Sequence, residues 1–131
     1  MPVVSLHARV CHIREAAPGT SLGYSVTYRA SRQERWATLS IGYGDGLPRS
    51  LSNKGSALIG GRRVPIIGRI SMDLTVVDIT DLSGVGLGDV ATLLGREGRE
   101  EITVDELAET AGSVSYEILT RFTARLPRIW T

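Results

Sequence analysis

Cysteine, histidine and surplus charge are all scarce in this sequence, and these shortages exclude several kinds of site and partner. The single cysteine excludes an intrachain disulfide and, with only 2 histidines, leaves no spacing that resembles a zinc site. The 15 lysine and arginine residues are balanced by 14 acidic residues, so the chain lacks the basic excess by which nucleic-acid-binding proteins release counterions. No apolar run approaches the roughly 20 residues that cross a bilayer. We therefore expect no metal ion, no nucleic acid and no membrane as a partner.

The residues that are present suffice for one domain. The chain has 131 residues, 42% of them hydrophobic, and no repeat or linker long enough to separate two domains. Residues 1–9 lack the charged segment and apolar core of a secretion signal. We expect a single domain over residues 1–131 in a cytoplasmic protein.

Alternating hydrophobicity over the first hundred residues predicts a mainly β fold. Candidate strands are residues 3–13, 23–30, 35–42, 57–59, 63–67, 73–79 and 89–94. Gly60 and Gly61, between two apolar runs, predict a two-residue hairpin turn because glycine adopts positive φ without a steric penalty. Short strands at this spacing favour a small barrel or sandwich, and we predict a small Greek-key-like β-barrel.

Helical signals occur only near the C-terminus. Residues 103–106 form a capping box before an apolar stripe, and Gly112 predicts where that helix ends. A second short helix is predicted over residues 115–122, and Pro127 prevents it from continuing. The predicted barrel therefore carries a short helical hairpin near its C-terminus.

Three residues that could carry chemistry have ordinary structural explanations. His7 and His12 are five residues apart on a strand, so they point to opposite faces and cannot share a metal ion or a proton. Cys11 has apolar neighbours and is predicted to be a small core residue rather than a nucleophile.

Two glycine clusters, at residues 42–46 and 84–88, do not open a helix within a β-α-β unit as nucleotide-binding loops do. The second cluster is therefore predicted to be a turn. Asp45 and Asp89, each beside a glycine, are predicted to cap turns with their carboxylates.

A set of tyrosines and arginines remains. Tyr24 and Tyr28 on one predicted strand are explained more readily by strand packing than by catalysis. The other members, bracketed by glycines, are Tyr43, Arg49, Arg69, Met72 and Asp73. Arginines and the backbone amides of a glycine turn both bind carboxylates and phosphates, so the set hints at chemistry on an anion without fixing a reaction.

Five segments make this hint specific by their order. They are PVVSLHARV at residues 2–10, LGYSVTY at 22–28, IGYGDGLPR at 41–49, VPIIGRISMD at 64–73, and YEILT at 116–120 with RLPR at 125–128. In this order they resemble the C-terminal domain of bacterial alanine racemases over nearly the whole chain.

The resemblance implies an isomerase that interconverts L-alanine and D-alanine for the supply of peptidoglycan precursors. Members of the family bind pyridoxal phosphate as a Schiff base on a lysine of an N-terminal (β/α)8 barrel, and the cofactor acts as an electron sink. That barrel is absent from these residues. In the family, the site forms between the barrel of one subunit and this domain of the other in a head-to-tail homodimer, so we expect the isolated domain to be inactive.

Racemisation removes a proton from one face of the substrate carbon and returns one to the other face, which requires two acid/base groups. The resemblance assigns one to the barrel lysine and the other to Tyr24. A phenol with an ordinary pKa of about 10 acts as a base near neutrality only if that pKa is lowered, and nearby guanidinium charge from the barrel would lower it. Met72 matches the position whose backbone N–H contacts the substrate carboxylate.

The resemblance also assigns residues to the substrate entrance. Tyr43 matches a tyrosine at the narrow inner gate of the substrate channel, and polar residues around the entrance match Arg49, Arg69 and Asp73. Family members often carry an aromatic residue where this chain has Ala124. A wider channel or a different substrate range would follow from that change.

Two alternatives stay open. The chain could be a free-standing β-barrel module that binds a partner or a small anion without catalysis. It could also be the same domain of a racemase for another amino acid, because nothing in the sequence fixes the pocket for the substrate side chain. The only lysine, Lys54, lies in a turn typical of a solvent-exposed residue, so it is not predicted to bind the cofactor.

Overall fold

A computed structural model of the chain describes residues 5–22, 27–114 and 117–118. The strands are β1 (Leu6–Ala16), β2 (Ser21–Leu22), β3 (Tyr28–Arg29), β4 (Glu34–Leu39), β5 (Ser56–Ile59), β6 (Arg62–Ile67), β7 (Thr75–Asp78), β8 (Val90–Glu97) and β9 (Glu100–Ile102). The helices are α1 (Val104–Ala111) and two 3-10 turns, at Tyr43–Asp45 and Arg49–Leu51. None of the helices in these described ranges is long and apolar enough to cross a membrane.

Six strands close into an antiparallel barrel in the order β1-β4-β7-β6-β5-β8, with β8 pairing back onto β1. The long strand β1 makes closure possible because its first half pairs with β8 and its second half with β4. A β-bulge between Val10 and His12 marks the change of partner. The prediction of a mainly β barrel with a short helix near its C-terminus is confirmed.

The barrel interior is filled by the alternate residues of each strand. On β1 these are Leu6, Ala8 and Val10, all buried, which is the alternation that the sequence shows. The prediction that Cys11 belongs to the core is wrong. Cys11 follows the buried Val10 at the bulge and is exposed, with its Sγ 3.4 Å from the Thr38 carbonyl oxygen.

The sequence signals for the hairpin turn and for the two ends of α1 predicted these features correctly. Gly60 and Gly61 have φ values of 58° and 75° and join β5 to β6, as predicted. At the start of α1 the Thr103 hydroxyl accepts a hydrogen bond from the Glu106 N–H at 3.0 Å, and Gly112 ends the helix with a φ of 72°. The helix predicted over residues 115–122 lies outside the described residues, apart from two helical residues at 117–118.

Strand β9 and the pairing of β2 with β3 in a sheet of their own were not predicted. Strand β9 is a short charged segment that pairs with the end of β8. Strands β2 and β3 form a separate two-stranded sheet, in which Leu22 pairs with Tyr28. The strand predicted over residues 23–30 is therefore described only in part, because residues 23–26 lie outside the described ranges.

Candidate functional site

Two loops at one end of the barrel carry most of the predicted site residues. The first, at residues 42–49, leaves the end of β4, and the second, at residues 68–74, connects β6 to β7. Because β4 and β6 both pair with β7, the loops emerge side by side. We call residues 42–49 and 68–74 the paired loops.

Backbone hydrogen bonds join the paired loops directly. The Tyr43 N–H donates to the Ser71 carbonyl at 2.9 Å, and the Gly44 N–H donates to the Met72 carbonyl at 2.8 Å. A Cβ atom on Gly42 would lie only 2.2 Å from the Ser71 carbonyl oxygen, so this approach requires glycine. The structure thus brings Tyr43 and Met72 together, as the predicted site requires.

Asp45 fixes the conformation of the first loop from inside. Its side chain is buried, and its Oδ2 accepts a hydrogen bond from the Gly42 N–H at 3.0 Å. The prediction that Asp45 caps a turn is confirmed, as is that for Asp89, whose Oδ2 accepts from the Gly86 N–H at 2.9 Å. Asp45 therefore supports the loop that presents Tyr43.

The outward side of the paired loops is apolar and cationic. Tyr43 is 41% exposed, Met72 53% and Leu74 43%. The Arg49 guanidinium lies over the Tyr43 ring, with Cζ 5.2 Å from the ring centroid, in a cation–π contact. The remaining predicted entrance residues, Arg69 and Asp73, are exposed on the second loop.

The Met72 amide points to no partner within the described part of the chain. The turn around it is closed by its neighbours, since the Ser71 N–H donates to the Leu74 carbonyl and the Leu74 N–H donates to the Ser71 hydroxyl, both at 3.0 Å. No described residue accepts a hydrogen bond from the Met72 N–H. A backbone donor is therefore available to a ligand beside Tyr43.

Tyr24 lies outside the described residues, but both ends of its segment are described. Leu22, before the segment, packs against the second loop so closely that a Cβ atom on Gly68 would lie 2.6 Å from Leu22 Cδ2. Thr27, after the segment, accepts a hydrogen bond through its carbonyl from Asn53 Nδ2 at 3.2 Å. The residue before the Tyr24 segment therefore lies beside the second paired loop, and the residue after it lies beside Asn53.

Sequence reasoning missed a second polar group, which we call the Glu34 cluster: Tyr28, Ser31, Glu34 and Trp36. Glu34 is 2% exposed, and its carboxylate accepts hydrogen bonds from the Tyr28 hydroxyl at 2.9 Å, the Trp36 Nε1 at 2.8 Å and the Ser31 N–H at 3.2 Å. The Tyr28 and Trp36 rings meet edge to face at 5.9 Å. No sequence signal marks this cluster beyond a glutamate two residues before a strand tryptophan.

The electrostatics of the Glu34 cluster identify Tyr28 as a structural residue. Burial and the hydrogen bond to the Glu34 carboxylate raise the pKa of Tyr28 to about 12. Burial acts to raise the pKa of Glu34 as well, but the hydrogen bonds from Trp36, Tyr28 and Ser31 outweigh it and hold that pKa below its ordinary value. A phenol whose pKa is raised in this way is a poor base, so the interpretation of Tyr28 as a packing residue agrees with its surroundings.

Comparisons with known proteins identify relatives over nearly the whole chain. Residues 3–130 match the family described as "Alanine racemase, C-terminal domain". The alanine racemase of Nostoc sp. is 44% identical over 128 residues, which make up 98% of this chain and 33% of that protein. An amino-acid racemase of Enterococcus faecalis is 48% identical over 122 residues, or 92% of this chain and 17% of that protein.

Solved structures agree with these sequence relatives. The alanine racemase from Bacillus anthracis with bound L-Ala-P is 44% identical, with a TM-score of 0.89 over 95% of this chain and 32% of that one. The alanine racemase from Bartonella henselae with covalently bound pyridoxal phosphate is 36% identical, with a TM-score of 0.90 over 97% of this chain and 34% of that one. The chain thus spans about a third of the length of the alanine racemases that it matches.

The described residues do not by themselves fit pyridoxal phosphate. Lys54, the only lysine, is exposed in the turn that follows Leu51, where the Lys54 N–H donates to the Leu51 carbonyl at 2.9 Å. A lysine that forms a Schiff base is normally desolvated, and this one is not. Within the described ranges there is likewise no group of three histidine, cysteine or acidic side chains that could hold a metal ion.

Proposed function

The chain belongs to the alanine racemase C-terminal domain family, and on this premise we propose that it supplies one acid/base group and part of the substrate entrance of an alanine racemase. One observation carries the proposal. The second paired loop, which carries the Met72 N–H, contacts Leu22 at one end of the segment that contains Tyr24, and Asn53 joins that loop to Thr27 at the other end. This contact supports a site in which a backbone N–H that binds the substrate carboxylate and the phenol of Tyr24 act on the same substrate.

Tyr24 is proposed to hold and move a proton at its phenolic oxygen on one face of the substrate carbon. The opposite face needs a second group, which this chain lacks because its only lysine is exposed in a turn. Base chemistry near neutrality requires a lowered phenol pKa, and a cation contributed by an N-terminal domain would lower it. Pyridoxal phosphate, held by that same domain, would supply the electron sink for the reaction.

Met72 is proposed to orient the substrate through its backbone rather than its side chain. An N–H with no described acceptor, next to a backbone-linked partner loop, is a preorganised donor for a carboxylate oxygen. This role explains why a non-polar side chain can occupy the position. Holding the carboxylate fixes the substrate carbon relative to Tyr24.

The substrate entrance is proposed to be formed by Tyr43 with Arg49, Arg69 and Asp73. The cation–π contact between Arg49 and Tyr43 holds the phenol ring in place on the exposed side of the first loop. A ring fixed in this way narrows the passage and favours a substrate as small as L- or D-alanine. The cationic side chains would attract the substrate carboxylate.

The partner of this surface is proposed to be the N-terminal barrel domain of the other subunit in a head-to-tail homodimer. Three large apolar side chains, Tyr43, Met72 and Leu74, are exposed together on the paired loops, as is typical of an interface. A site completed by another subunit makes this chain inactive alone. Such an enzyme would act in the cytoplasm and supply D-alanine for peptidoglycan precursors.

The test is a fusion in which this chain replaces the matching C-terminal third of the Bacillus anthracis alanine racemase, here called the fusion enzyme. We expect racemisation of alanine by the fusion enzyme with pyridoxal phosphate, and none by this chain alone. The intact parent enzyme is the positive control. Turnover by the chain alone would contradict the shared site, and an inactive fusion enzyme that is folded and binds the cofactor would contradict the alanine racemase proposal.

A racemase for another amino acid is the second candidate, and the Enterococcus faecalis relative favours it. That protein is named an amino-acid racemase and is 48% identical to this chain, so the domain is compatible with a broader substrate class. Assaying the fusion enzyme with serine and lysine beside alanine separates the two candidates. A non-catalytic binding module, the remaining alternative, predicts no turnover with any of them.

A further inference from the structure

The first paired loop begins with a turn at residues 42–45 that has a counterpart at residues 86–89. Both turns have a glycine at the first and third positions and an aspartate at the fourth. In the first turn, Asp45 Oδ2 accepts a hydrogen bond from the Gly42 N–H at 3.0 Å, and the Asp45 N–H donates to the Gly42 carbonyl at 3.1 Å. Asp89 and Gly86 repeat both hydrogen bonds, at 2.9 and 3.2 Å. The two turns therefore share a sequence pattern and a hydrogen-bond pattern.

The two turns differ in burial and in what they contact. Asp45 is 7% exposed, whereas Asp89 is an exposed residue. The turn at residues 86–89 is joined to β1, where Val10 exchanges backbone hydrogen bonds of 2.8 Å with Gly88 and Asp89. Among the described residues, none of its hydrogen bonds reaches the second paired loop. Burial of a carboxylate is costly, so a turn alone does not explain the position of Asp45.

The turn at residues 42–45 holds the backbone of Met72 from both sides of its N–H. The consecutive N–H groups of Tyr43 and Gly44 donate to the carbonyls of Ser71 and Met72, at 2.9 and 2.8 Å. The Ser71 carbonyl comes directly before the Met72 N–H in the chain, and the Met72 carbonyl comes directly after it. A Cβ atom on Gly42 would lie 2.2 Å from the first of these oxygens and 2.5 Å from the second. The contact therefore tolerates little displacement of the turn.

The Ser71 carbonyl and the Met72 N–H belong to one peptide group. That group is trans, because the described ranges contain no cis peptide bond, and in a trans peptide the carbonyl and the N–H point in opposite directions. The Tyr43 N–H, which binds the carbonyl, therefore directs the Met72 N–H away from itself. A carbonyl that accepts a hydrogen bond also makes the N–H of its peptide group a stronger donor. The turn thus sets both the direction and the strength of the Met72 donor.

Asp45 is the side chain that fixes this turn. Its carboxylate holds the N–H of Gly42, a residue whose backbone is otherwise free to adopt many conformations. Hydrogen bonds from a backbone N–H to a carboxylate are among the stronger ones in proteins. Without this bond the Gly42 peptide can rotate, and the N–H groups of Tyr43 and Gly44 lose their fixed direction towards the second paired loop.

We propose that Asp45 is a positioning residue for the substrate carboxylate. By fixing the turn at residues 42–45, it holds the Ser71–Met72 peptide group with the Met72 N–H directed at the ligand. This inference rests on the proposed function, which assigns the carboxylate to that N–H. Asp45 acts through the backbone of the paired loops and does not itself touch the substrate.

Two substitutions at Asp45 separate its hydrogen bond from its charge. Asp45→Ala removes the acceptor of the Gly42 N–H, whereas Asp45→Asn keeps an acceptor oxygen and removes only the charge. Asp89→Ala is the matched control, because it removes the same hydrogen bond from the same kind of turn without a contact to the second paired loop.

The first measurement is the steady-state kinetics of these variants in the fusion enzyme with L- and D-alanine. We expect Asp45→Ala to raise KM by about tenfold while kcat changes by less than about threefold, because a carboxylate contact stabilises substrate and transition state alike. Asp45→Asn should raise KM by only about threefold, and Asp89→Ala should match the unsubstituted fusion enzyme. An effect of charge alone has the opposite sign, because removing a negative charge lowers the repulsion of the substrate carboxylate.

Three results would overturn the positioning role while leaving the proposed function intact. They are an unchanged KM in Asp45→Ala, an equal change of KM in Asp45→Ala and Asp45→Asn, and a change in Asp89→Ala as large as that in Asp45→Ala. If Asp45→Ala does not fold, Asp45→Asn decides alone, and wild-type kinetics in that variant would overturn the role. A fusion enzyme that is inactive before any substitution would instead overturn the proposed function.

A second measurement tests the link between the turn and the second paired loop without any activity. In the 131-residue chain, we expect the Tyr43 amide proton, which binds the Ser71 carbonyl, to exchange with solvent about tenfold faster in Asp45→Ala than in the unsubstituted chain. Its exchange should be unchanged in Asp89→Ala. Unaltered exchange of the Tyr43 amide in a folded Asp45→Ala chain would overturn the positioning role whatever the function of the domain.

Discussion

The Glu34 cluster and the paired loops both contain a buried carboxylate and a tyrosine, but they arrange these side chains differently. In the Glu34 cluster a buried carboxylate gathers the hydroxyl of Tyr28 and the indole of Trp36, so the polar groups face one another. In the paired loops a buried carboxylate, Asp45, accepts a hydrogen bond from the Gly42 backbone, and Tyr43 remains exposed under a guanidinium. The first arrangement closes on itself, whereas the second presents groups to a partner or a ligand.

The charge of the nearest neighbour separates these tyrosines. Tyr28 donates to a carboxylate and has its pKa raised to about 12, which keeps it protonated as a hydrogen-bond donor. Tyr43 lies beneath the cationic Arg49. A tyrosine beside a buried carboxylate is thus assigned to structure, and the proposed acid/base role stays with Tyr24, four residues before Tyr28 in the sequence.

The largest expected effect comes from exchanging Tyr24 or Tyr28 for phenylalanine in the fusion enzyme. Tyr24→Phe removes one of two acid/base groups, so we expect the racemisation rate to fall by about 100-fold to 10,000-fold with little change in stability. Tyr28→Phe, the matched control, should lower the rate by less than about threefold while weakening the fold by about 1 to 2 kcal/mol. Equal losses of racemisation rate in the two variants would contradict the assignment of Tyr24 to catalysis and Tyr28 to structure.

The next effect is on stability and comes from the carboxylate of the Glu34 cluster. Glu34→Ala leaves the Tyr28, Trp36 and Ser31 donors without their acceptor, so we expect the free energy of unfolding to fall by about 3 kcal/mol in urea titrations. Glu15→Ala is the control, because Glu15 is exposed and makes a single ion pair at 3.6 Å with Arg35. It should cost less than about 0.5 kcal/mol. Similar losses of unfolding free energy in the two variants would show that the Glu34 cluster does not stabilise the fold.

The pH dependence of stability should show both ionisations of the cluster. The pKa of Glu34 is lowered on folding, so its contribution is present above the ordinary value of 4.5 and is lost as the pH falls through the lowered value. The pKa of Tyr28 is raised, so its contribution is present below pH 10.0 and is lost as the pH rises towards about 12.

Two variants test the acidic and the alkaline parts of this pH dependence separately. The difference in unfolding free energy between the unsubstituted chain and Glu34→Gln should shrink below pH 4.5, and Tyr28→Phe should flatten the curve between pH 10.0 and about 12. Differences that stay constant across both ranges would contradict the assigned shifts.

The smallest expected effects on stability come from removing either of two cation–π contacts, which differ in their expected effect on KM. Arg49 lies over Tyr43 at 5.2 Å in the paired loops, and Arg14 lies over Trp36 at 5.4 Å beside the Glu34 cluster. We expect Arg49→Ala and Arg14→Ala each to cost about 0.5 to 1 kcal/mol of stability. Only Arg49→Ala should change the KM of the fusion enzyme for alanine, and a change of KM in Arg14→Ala would contradict the assignment of the entrance.

Local sequence patterns predicted much of the barrel. The alternation in β1, the Gly60–Gly61 hairpin and the Thr103 cap of α1 depend on residues close in sequence, and the structure shows all three. The prediction for Cys11 failed because a bulge changes the pairing of β1 from β8 to β4, which alternation does not reveal. Strand β9 was missed because three residues are too few to show a period.

The candidate site was only partly predictable, since its residues meet through contacts between distant segments. The resemblance named Tyr43 and Met72, but their pairing rests on backbone hydrogen bonds between loops that are 28 residues apart at Tyr43 and Ser71. Asn53 carried no signal beyond a turn, because its side-chain hydrogen bonds go to Thr27 and Gly68, which are distant in sequence and which the fold brings to it. Tyr24 stays a prediction from the resemblance.

The most direct test of the central claim is α-hydrogen exchange in heavy water, followed by NMR, for the Tyr24→Phe fusion enzyme with each enantiomer of alanine. If Tyr24 is one of two acid/base groups, one enantiomer should still exchange its α-hydrogen at the remaining group, while interconversion of the enantiomers is lost. A Tyr24→Phe fusion enzyme that still interconverts L- and D-alanine at the unsubstituted rate would contradict the account.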